Sequence, residues 1–287
     1  MTNWVSIDKD KCNNCGFCVT RCPLCFRKKD DEIIAQADEN NCNLCGHCVS
    51  LCPTDAIVHH KMDMDNFIQI DDPVGFDTDA FVRFIRERRS HRHFKDKEIP
   101  GEVLEKLIDT CRYAPTGSNV QSVEILVIQN PERRRKLSDM AVDYFDELGG
   151  KVEKHIEKLK AEGKEIPENI QRTSNYRGRL MLARKVGYDP IFHKAPAVII
   201  FHSPSQTSAP KDNCVIASTT MGLLARTMGL ETTYIGLFEG ASKTYEPLIK
   251  ELGLPEGHEV FSVLIIGYPK LKFRKTVDRR PIRTRWE

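Results

Sequence analysis

CNNCGFCVTRCP, residues 12–23, and CNLCGHCVSLCP, residues 42–53, decide how the first part of this chain folds and what it carries. Both read Cys-x2-Cys-x2-Cys-x3-Cys-Pro: Cys12, Cys15, Cys18 and Cys22 before Pro23, then Cys42, Cys45, Cys48 and Cys52 before Pro53. A cuboidal iron–sulfur cluster needs four soft thiolates. Three of them at steps of three let a short loop wrap three corners while a distant residue caps the fourth. In tandem runs of this spacing the fourth cysteine crosses to the other cluster. One 4Fe-4S cluster is therefore assigned to Cys12, Cys15, Cys18 and Cys52, and a second to Cys42, Cys45, Cys48 and Cys22. Gly16 and Gly46 follow the second cysteine of each run, where the backbone turns tightly and offers amides to sulfur. Their matching positions argue for a duplication.

Two other readings compete. Structural zinc takes four ligands, and two Cys-Pro-terminated runs of four exceed what a tetrahedral site asks for. A disulfide framework belongs to oxidising compartments. The opening MTNWVSIDKDK carries no charged leader followed by an apolar stretch, so a cytoplasmic location is expected. Cys25, Cys111 and Cys214 stand outside the pattern and read as small buried or surface residues rather than ligands.

At 287 residues the chain has room for two domains, of which the cysteine segment is the smaller. The apolar runs 125–128, 195–201 and 260–266 have strand length, far short of the roughly 20 residues of a membrane helix. A net charge of +2 gives no sign of a general nucleic-acid surface. Composition predicts an iron–sulfur domain over residues 1–65, a turn-rich acidic linker at 66–78 and a larger domain over 79–287, with an insertion at 131–190. In the larger domain Phe81, Phe84 and Ile85 recur at helical spacing, and Val103, Leu104, Leu107 and Ile108 repeat that period. Helices then alternate with short apolar strands, which predicts a layered α+β or α/β domain.

Three stretches of the larger domain carry chemistry. RRSHRHF, residues 88–94, sets three guanidiniums and a hydroxyl within five residues, enough to surround a phosphate dianion. On its own such a run also reads as a solvated helix cap. APTGSNVQS, residues 114–122, closes a helix and presents small amides and hydroxyls before a strand, suited to polar ring edges and a ribityl chain. TTYIGLFEG, residues 232–240, reads as a strand ending in Phe238, Glu239 and Gly240, where a glycine lets the main chain approach a flat ring.

Together these stretches resemble the nitroreductase family of FMN-dependent oxidoreductases over roughly residues 79–287, and the whole chain resembles its branch fused to a bacterial-type ferredoxin domain. The resemblance implies an α+β FMN domain with a mostly antiparallel sheet flanked by helices. It implies that Arg88, Ser90 and Arg92 hold the FMN phosphate, with Arg89 adding main-chain or ring contacts. Pro115, Ser118, Asn119 and Gln121 then belong to the cofactor site, Phe238, Glu239 and Gly240 line the reactive face of the ring, and Lys275 and Arg279 add cations from the C-terminal segment. It implies a homodimer as well. Without Gly-x-Gly-x-x-Gly after any strand, a nicotinamide donor would only visit the flavin.

The flavin also gives the basic stretch 272–285 a partner other than nucleic acid. The expected function is reduction of a small organic acceptor such as a nitroaromatic or quinone, fed by ferredoxin or NAD(P)H through the clusters. The alternative is an electron-transfer subunit serving a partner enzyme. The charged insertion reads as a solvated helical excursion with a break at Gly149 and Gly150, or as a lid whose Tyr144, Phe145, Tyr176, Tyr188 and Phe192 wall a pocket.

Overall fold

The computed structural model describes residues 3–287, apart from the side chains of residues 169 and 172. Contacts divide the chain into two compact units. Unit one runs through Phe76 and takes in Ser118–Val120; unit two holds Asp77–Gly117 and Gln121–Glu287. No helix among the described residues is long and apolar enough to cross a membrane.

Unit one is two copies of one small motif. β1 (Val5–Ile7) leads to the first cysteine loop and α1 (Phe17–Arg21). The hairpin of β2 (Phe26–Lys29) and β3 (Glu32–Ala35) follows, then the second loop with α2 (His47–Ser50), and β4 (Ile57–His59) closes the unit. β4 returns antiparallel to β1, with Val5 opposite His59, so the two ends of the unit are fastened together. Each helix starts from a left-handed glycine, Gly16 at φ 80° and Gly46 at φ 70°. A side chain is strained in that conformation, which is why glycine recurs at both places. The apolar core is small: Val5, Phe26, Ile33, Ala37 and Ile57 are buried, and Cys12, Cys18, Cys22, Cys42, Cys48 and Cys52 pack among them. Sulfur therefore replaces much of the hydrocarbon that a unit of this size cannot supply.

Unit two begins with α3 (Thr78–Glu87), capped by the Asp77 carboxylate accepting from Ala80 N at 2.6 Å. Then come α4 (Gly101–Cys111), β5 (Glu124–Ile128), α5 (Pro131–Ala161), α6 (Glu168–Lys185), β6 (Ala197–Pro204), α7 (Pro210–Thr227), β7 (Glu231–Tyr234), α8 (Gly236–Ala241), α9 (Glu246–Leu252) and β8 (His258–Gly267). The four strands form one fully antiparallel sheet in the order β5-β6-β8-β7. Residues 197–203 of β6 are all buried, as a continuous apolar run predicts for a strand covered on both faces. One face packs Leu104, Leu107, Ala217, Met221 and Ala225 from α4 and α7. The other packs Leu137 and Ala141 of α5, Phe238 of α8, and Leu248 and Leu252 of α9. The expected α+β fold, with a mostly antiparallel sheet between helices, is what the chain adopts.

Two local expectations change. TTYIGLFEG is not strand throughout. β7 stops at Tyr234, a last ladder bond runs from Ile235 N to Val263 O at 2.9 Å, and Phe238, Glu239 and Gly240 lie in α8. Folding back as a helix lets Phe238 enter the core, where a continued strand would have left it at the end of the sheet. Nor do Gly149 and Gly150 break a helix. α5 continues through them for 31 residues, because a Cβ on Gly149 would lie 2.7 Å from Arg177 Cβ of α6. Glycine there permits close packing, and Arg177 locks the pair by ion pairs to Asp146, at 2.7 Å, and Glu153. The helical spacing of Phe81, Phe84 and Ile85 is realised in α3, where Phe81, Val82 and Ile85 are about half exposed and Phe84 packs under the Arg226 guanidinium at 4.5 Å.

Ile199 sits in the middle of β6 with no exposed surface. Ile199→Ala is expected to cost about 2–5 kcal/mol, from lost burial plus the cavity left behind. Chemical denaturation followed by far-UV circular dichroism checks this, with a change below about 1 kcal/mol counting against the layer arrangement.

Candidate functional site

In unit one, folding brings together cysteines that are far apart in sequence. Cys12, Cys15, Cys18 and Cys52 line one cavity, so the fourth cysteine of the second run meets the first three of the first run. The reciprocal set forms as well: the Cys48 thiol is pushed up to about 11, chiefly by burial, and its thiol neighbours are Cys42, Cys45 and Cys22. Burial also raises the Cys18 thiol, with Cys12 and Cys15 beside it. Two groups of four soft donors result, each fit for a cuboidal cluster. Ala56 N donates to Cys52 Sγ at 3.2 Å, the kind of amide–sulfur bond that tunes a thiolate ligand.

Cys25 is a fifth thiol beside the second group, next to Cys22, Cys42 and Cys48. Its thiol is buried, its pKa is strongly raised by that burial, and it donates to the carbonyl and side-chain oxygen of Asn41 at 3.3 and 3.2 Å. Cys111 and Cys214 are likewise buried in unit two, their thiols raised by burial to about 11 and 12. Within unit one, Asn119 Nδ2 donates to the carbonyls of Asn43 and Leu44 at 2.9 and 3.0 Å, while Ser118 is exposed.

In unit two the arginine stretch runs along the outer side of β7. His91 N donates to Thr232 O at 3.3 Å, Thr233 Oγ1 donates to His91 O, and Lys270 N donates to His93 O at 2.9 Å. α8 leaves β7 after one residue, so Arg88–Arg92 and Phe238–Gly240 both hang from the same strand. Among the described residues neither Arg88 nor Arg92 has a side-chain hydrogen bond or ion pair. Arg89 turns back on its own helix: Nη1 donates to the carbonyls of Arg86 and Arg88 at 2.9 and 2.7 Å. Its Nε and Nη2 are buried with no partner. Leaving such donors unmet costs about 1–3 kcal/mol, more for a charged group, so this stretch has unspent capacity for an anion.

Phe238 does not face a surface; it is fully buried, its ring 4.9 Å from that of Phe192. Glu239 pairs with Lys243 at 2.8 Å, and its carbonyl accepts from Ser242 Oγ. Open space surrounds the position a Cβ would take on Gly240. Lys275 shares an open cleft of about 920 Å³ with His91, Arg226 and Glu231, whereas Arg279 lies farther along the exposed tail and does not line it. Pro115 is exposed, and Gln121 N donates to Thr116 Oγ1 at 3.1 Å.

Sequence reasoning missed the groups that hold these segments in place. Asn213, buried on α7, accepts from Gly117 N at 2.8 Å and donates to Ser208 O at 2.7 Å, fixing the 114–117 corner. A Cβ on Gly117 would lie 2.7 Å from Ser208 Oγ, 3.1 Å from Ala209 Cβ and 3.2 Å from Ser208 O, so glycine keeps this approach uncrowded. Arg226 pairs with Glu231 at 3.1 Å and donates to Phe84 O, while His91 Nε2 lies 3.7 Å from the second Glu231 oxygen. For Arg226, a lone charge in the otherwise apolar stretch 221–230 is the sequence signal; Asn213, in the polar run 211–213, has none.

His193, at φ 54°, bonds through Nδ1 to Tyr188 Oη at 2.7 Å. Burial pulls its pKa down to about 4; Asp189 opposes this, and Arg92 and His93 add to it. The unfolded chain therefore takes up the proton first as pH falls. Stability present above about 6.5 should be lost progressively toward pH 4. His193→Asn, a residue tolerant of that backbone, is expected to flatten the fall in thermal midpoint between pH 7 and 5 relative to the natural chain. Equal slopes would assign the loss to another group.

Known proteins place both units. The Nitroreductase family model matches residues 85–268, and the 4Fe-4S binding domain model matches residues 5–24 and 35–58. The chain is 26% identical over 210 residues to 4-nitrobenzoate reductase of Nocardioides sp. (strain LMS-CY), covering 66% of this chain and 81% of that protein. It is 26% identical over 202 residues to chloronitrobenzene nitroreductase of Comamonas testosteroni, covering 64% and 84%. In structure it is similar to a nitroreductase with bound FMN from Desulfitobacterium hafniense DCB-2, with a TM-score of 0.54, 22% identity, and coverage of 72% of this chain and 97% of that one.

Proposed function

Because the chain belongs to the nitroreductase family, we propose that it is an FMN-dependent oxidoreductase in which two 4Fe-4S clusters deliver electrons for the reduction of a small organic acceptor. The observation that carries this reading is the presence, in one polypeptide, of two crossed cysteine quartets and a nitroreductase module whose arginine stretch holds unpartnered guanidinium groups. When bound, the flavin supplies the exchange between one-electron and two-electron chemistry, which no side chain can perform. The protein's part is position and electrostatics.

Arg88 and Arg92, whose side chains make no hydrogen bond or ion pair among the described residues, and Arg89, with two unmet donors, are suited to the phosphate dianion, with Ser90 between them. Lys275, and Arg279 from the tail, would add positive charge. Gly240 admits close approach of a planar ring. The half-exposed apolar side chains of α3, Val215 and Ile216 of α7, and Ile282 and Trp286 of the tail offer the surface for a homodimer. In such a dimer the cofactor site draws on both copies, so Pro115, Ser118, Asn119, Gln121, Phe238 and Glu239 need not converge within one protomer. The α5–α6 hairpin serves as the lid that selects the acceptor. The nitroaromatic activities in the names of two relatives make that class the first acceptor to test.

Arg88→Ala with Arg92→Ala is expected to yield protein without FMN but with its iron intact; stoichiometric FMN in the purified double variant would remove the phosphate assignment. Cys12→Ser is expected to lower iron and acid-labile sulfide by about half and to slow anaerobic flavin reduction by a ferredoxin-type donor. An unchanged rate would take the clusters off the route. Turnover of 4-nitrobenzoate by the natural protein under the same donor tests the acceptor class directly.

A further inference from the structure

At one end of the sheet in unit two lies a second cluster of ligand-type side chains, none of which belongs to the motifs above. Glu124 begins β5, His202 lies near the end of β6 and His258 begins β8. Glu124 stands directly opposite His202 in the β5–β6 ladder, while His202 pairs with Val260 and Pro204 with His258 in the β6–β8 ladder. Strand alternation therefore puts all three on one sheet face, the face whose next positions inward are the aliphatic Leu126, Ile200 and Val260. The β6–β8 register shifts between Phe201 and His202. Such bulges re-aim a side chain and are over-represented beside functional sites.

The geometry suits coordination. Each of the three residues offers one ligand atom within 4.8 Å of the others'. Nδ1 of His202 and Nδ1 of His258 are 2.9 Å apart, while Glu124 Oε1 lies 3.8 Å from Nε2, the other nitrogen of the His258 ring, so the carboxylate must swing round that ring to share an ion with the Nδ1 pair. Two imidazole nitrogens on one tetrahedral ion, each about 2.0–2.1 Å from it, stand about 3.3 Å apart, so the rings must part by a few tenths of an ångström and turn until both lone pairs face the ion. The Glu124 side chain is 54% exposed and free to swing toward the pair. Both imidazoles are largely buried, with side-chain exposure of 8% for His258 and relative exposure of 4% for His202. Burial pulls the His202 pKa down, with Glu124 opposing and His258 assisting, which keeps a neutral ring with a lone pair available.

We propose that Glu124, His202 and His258 form a binding site for a divalent first-row transition ion, with two imidazoles and one carboxylate as protein ligands and a fourth position left to water. This donor set is of the kind that takes zinc or ferrous iron. The site is independent of both cysteine quartets and of the arginine stretch, and stands or falls apart from the reading of the flavin reaction.

Zinc is the probe, being redox-silent beside the clusters. The full-length holoprotein is incubated with zinc chloride and passed over a chelating resin, and zinc and iron are counted per chain. The natural protein is expected to retain one zinc and His258→Ala none, with iron equal in the two. The zinc K-edge of the loaded protein should show nitrogen and oxygen neighbours at about 2.0–2.1 Å and no sulfur at about 2.3 Å. Loss of all zinc from the natural protein, equal retention by His258→Ala, or sulfur neighbours would each overturn the proposal. Should His258→Ala not fold, Glu124→Gln, altered at a half-exposed side chain, is expected to release zinc at least tenfold faster to a chelator. An unchanged release rate overturns the proposal equally.

Discussion

The burial of β6 on both faces is the constraint on which unit two is built. A strand with seven consecutive buried residues must satisfy every main-chain polar group by pairing, and β5 and β8 do so from either side. Its side chains then alternate between two cores, Val198 and Ile200 toward α5, α8 and α9, and Ala197, Ile199 and Phe201 toward α4 and α7. Once those layers are set, β7 is placed at the far side of β8 and the arginine stretch is laid beside it. Chemistry in this unit is therefore arranged around the rim of a sheet whose centre is inert hydrocarbon.

Unit one follows another logic. Its two quartets bring eight thiols into a space where a unit this small has few aliphatic residues to bury. Raised thiol pKa values at Cys18 and Cys48 mean that deprotonation is unfavourable until a metal compensates for the loss of solvation.

How much of this was legible in the sequence depends on how local each signal is. The cysteine runs could be read directly because ligand spacing along a loop is a short-range pattern, and Gly16 and Gly46 marked the turns within it. The strands at β5, β6 and β8 were legible as uninterrupted apolar runs. What misled was context. Gly149 reads as a break by propensity, but the approach of Arg177 turns it into a packing position. LFEG reads as strand because β7 leads into it, but the core accepts Phe238 only if the chain coils. Asn213 and the Glu124, His202 and His258 set were beyond reach, because the residues that give each its meaning lie 96 residues away for Gly117 and 56 between the two histidines.

One consequence concerns the solubility of the folded chain. β7 is an outer strand, and its exposed ladder groups would invite another molecule to zip onto it. His91 occupies Thr232 O and draws in Thr233 Oγ1, so the loop that follows α3 acts as a built-in guard rail against intermolecular β-pairing. Four residues of the same segment, Arg88, Arg89, Ser90 and Arg92, are those proposed to hold the flavin phosphate. Substitutions there thus threaten the edge of the sheet as well as the proposed phosphate site.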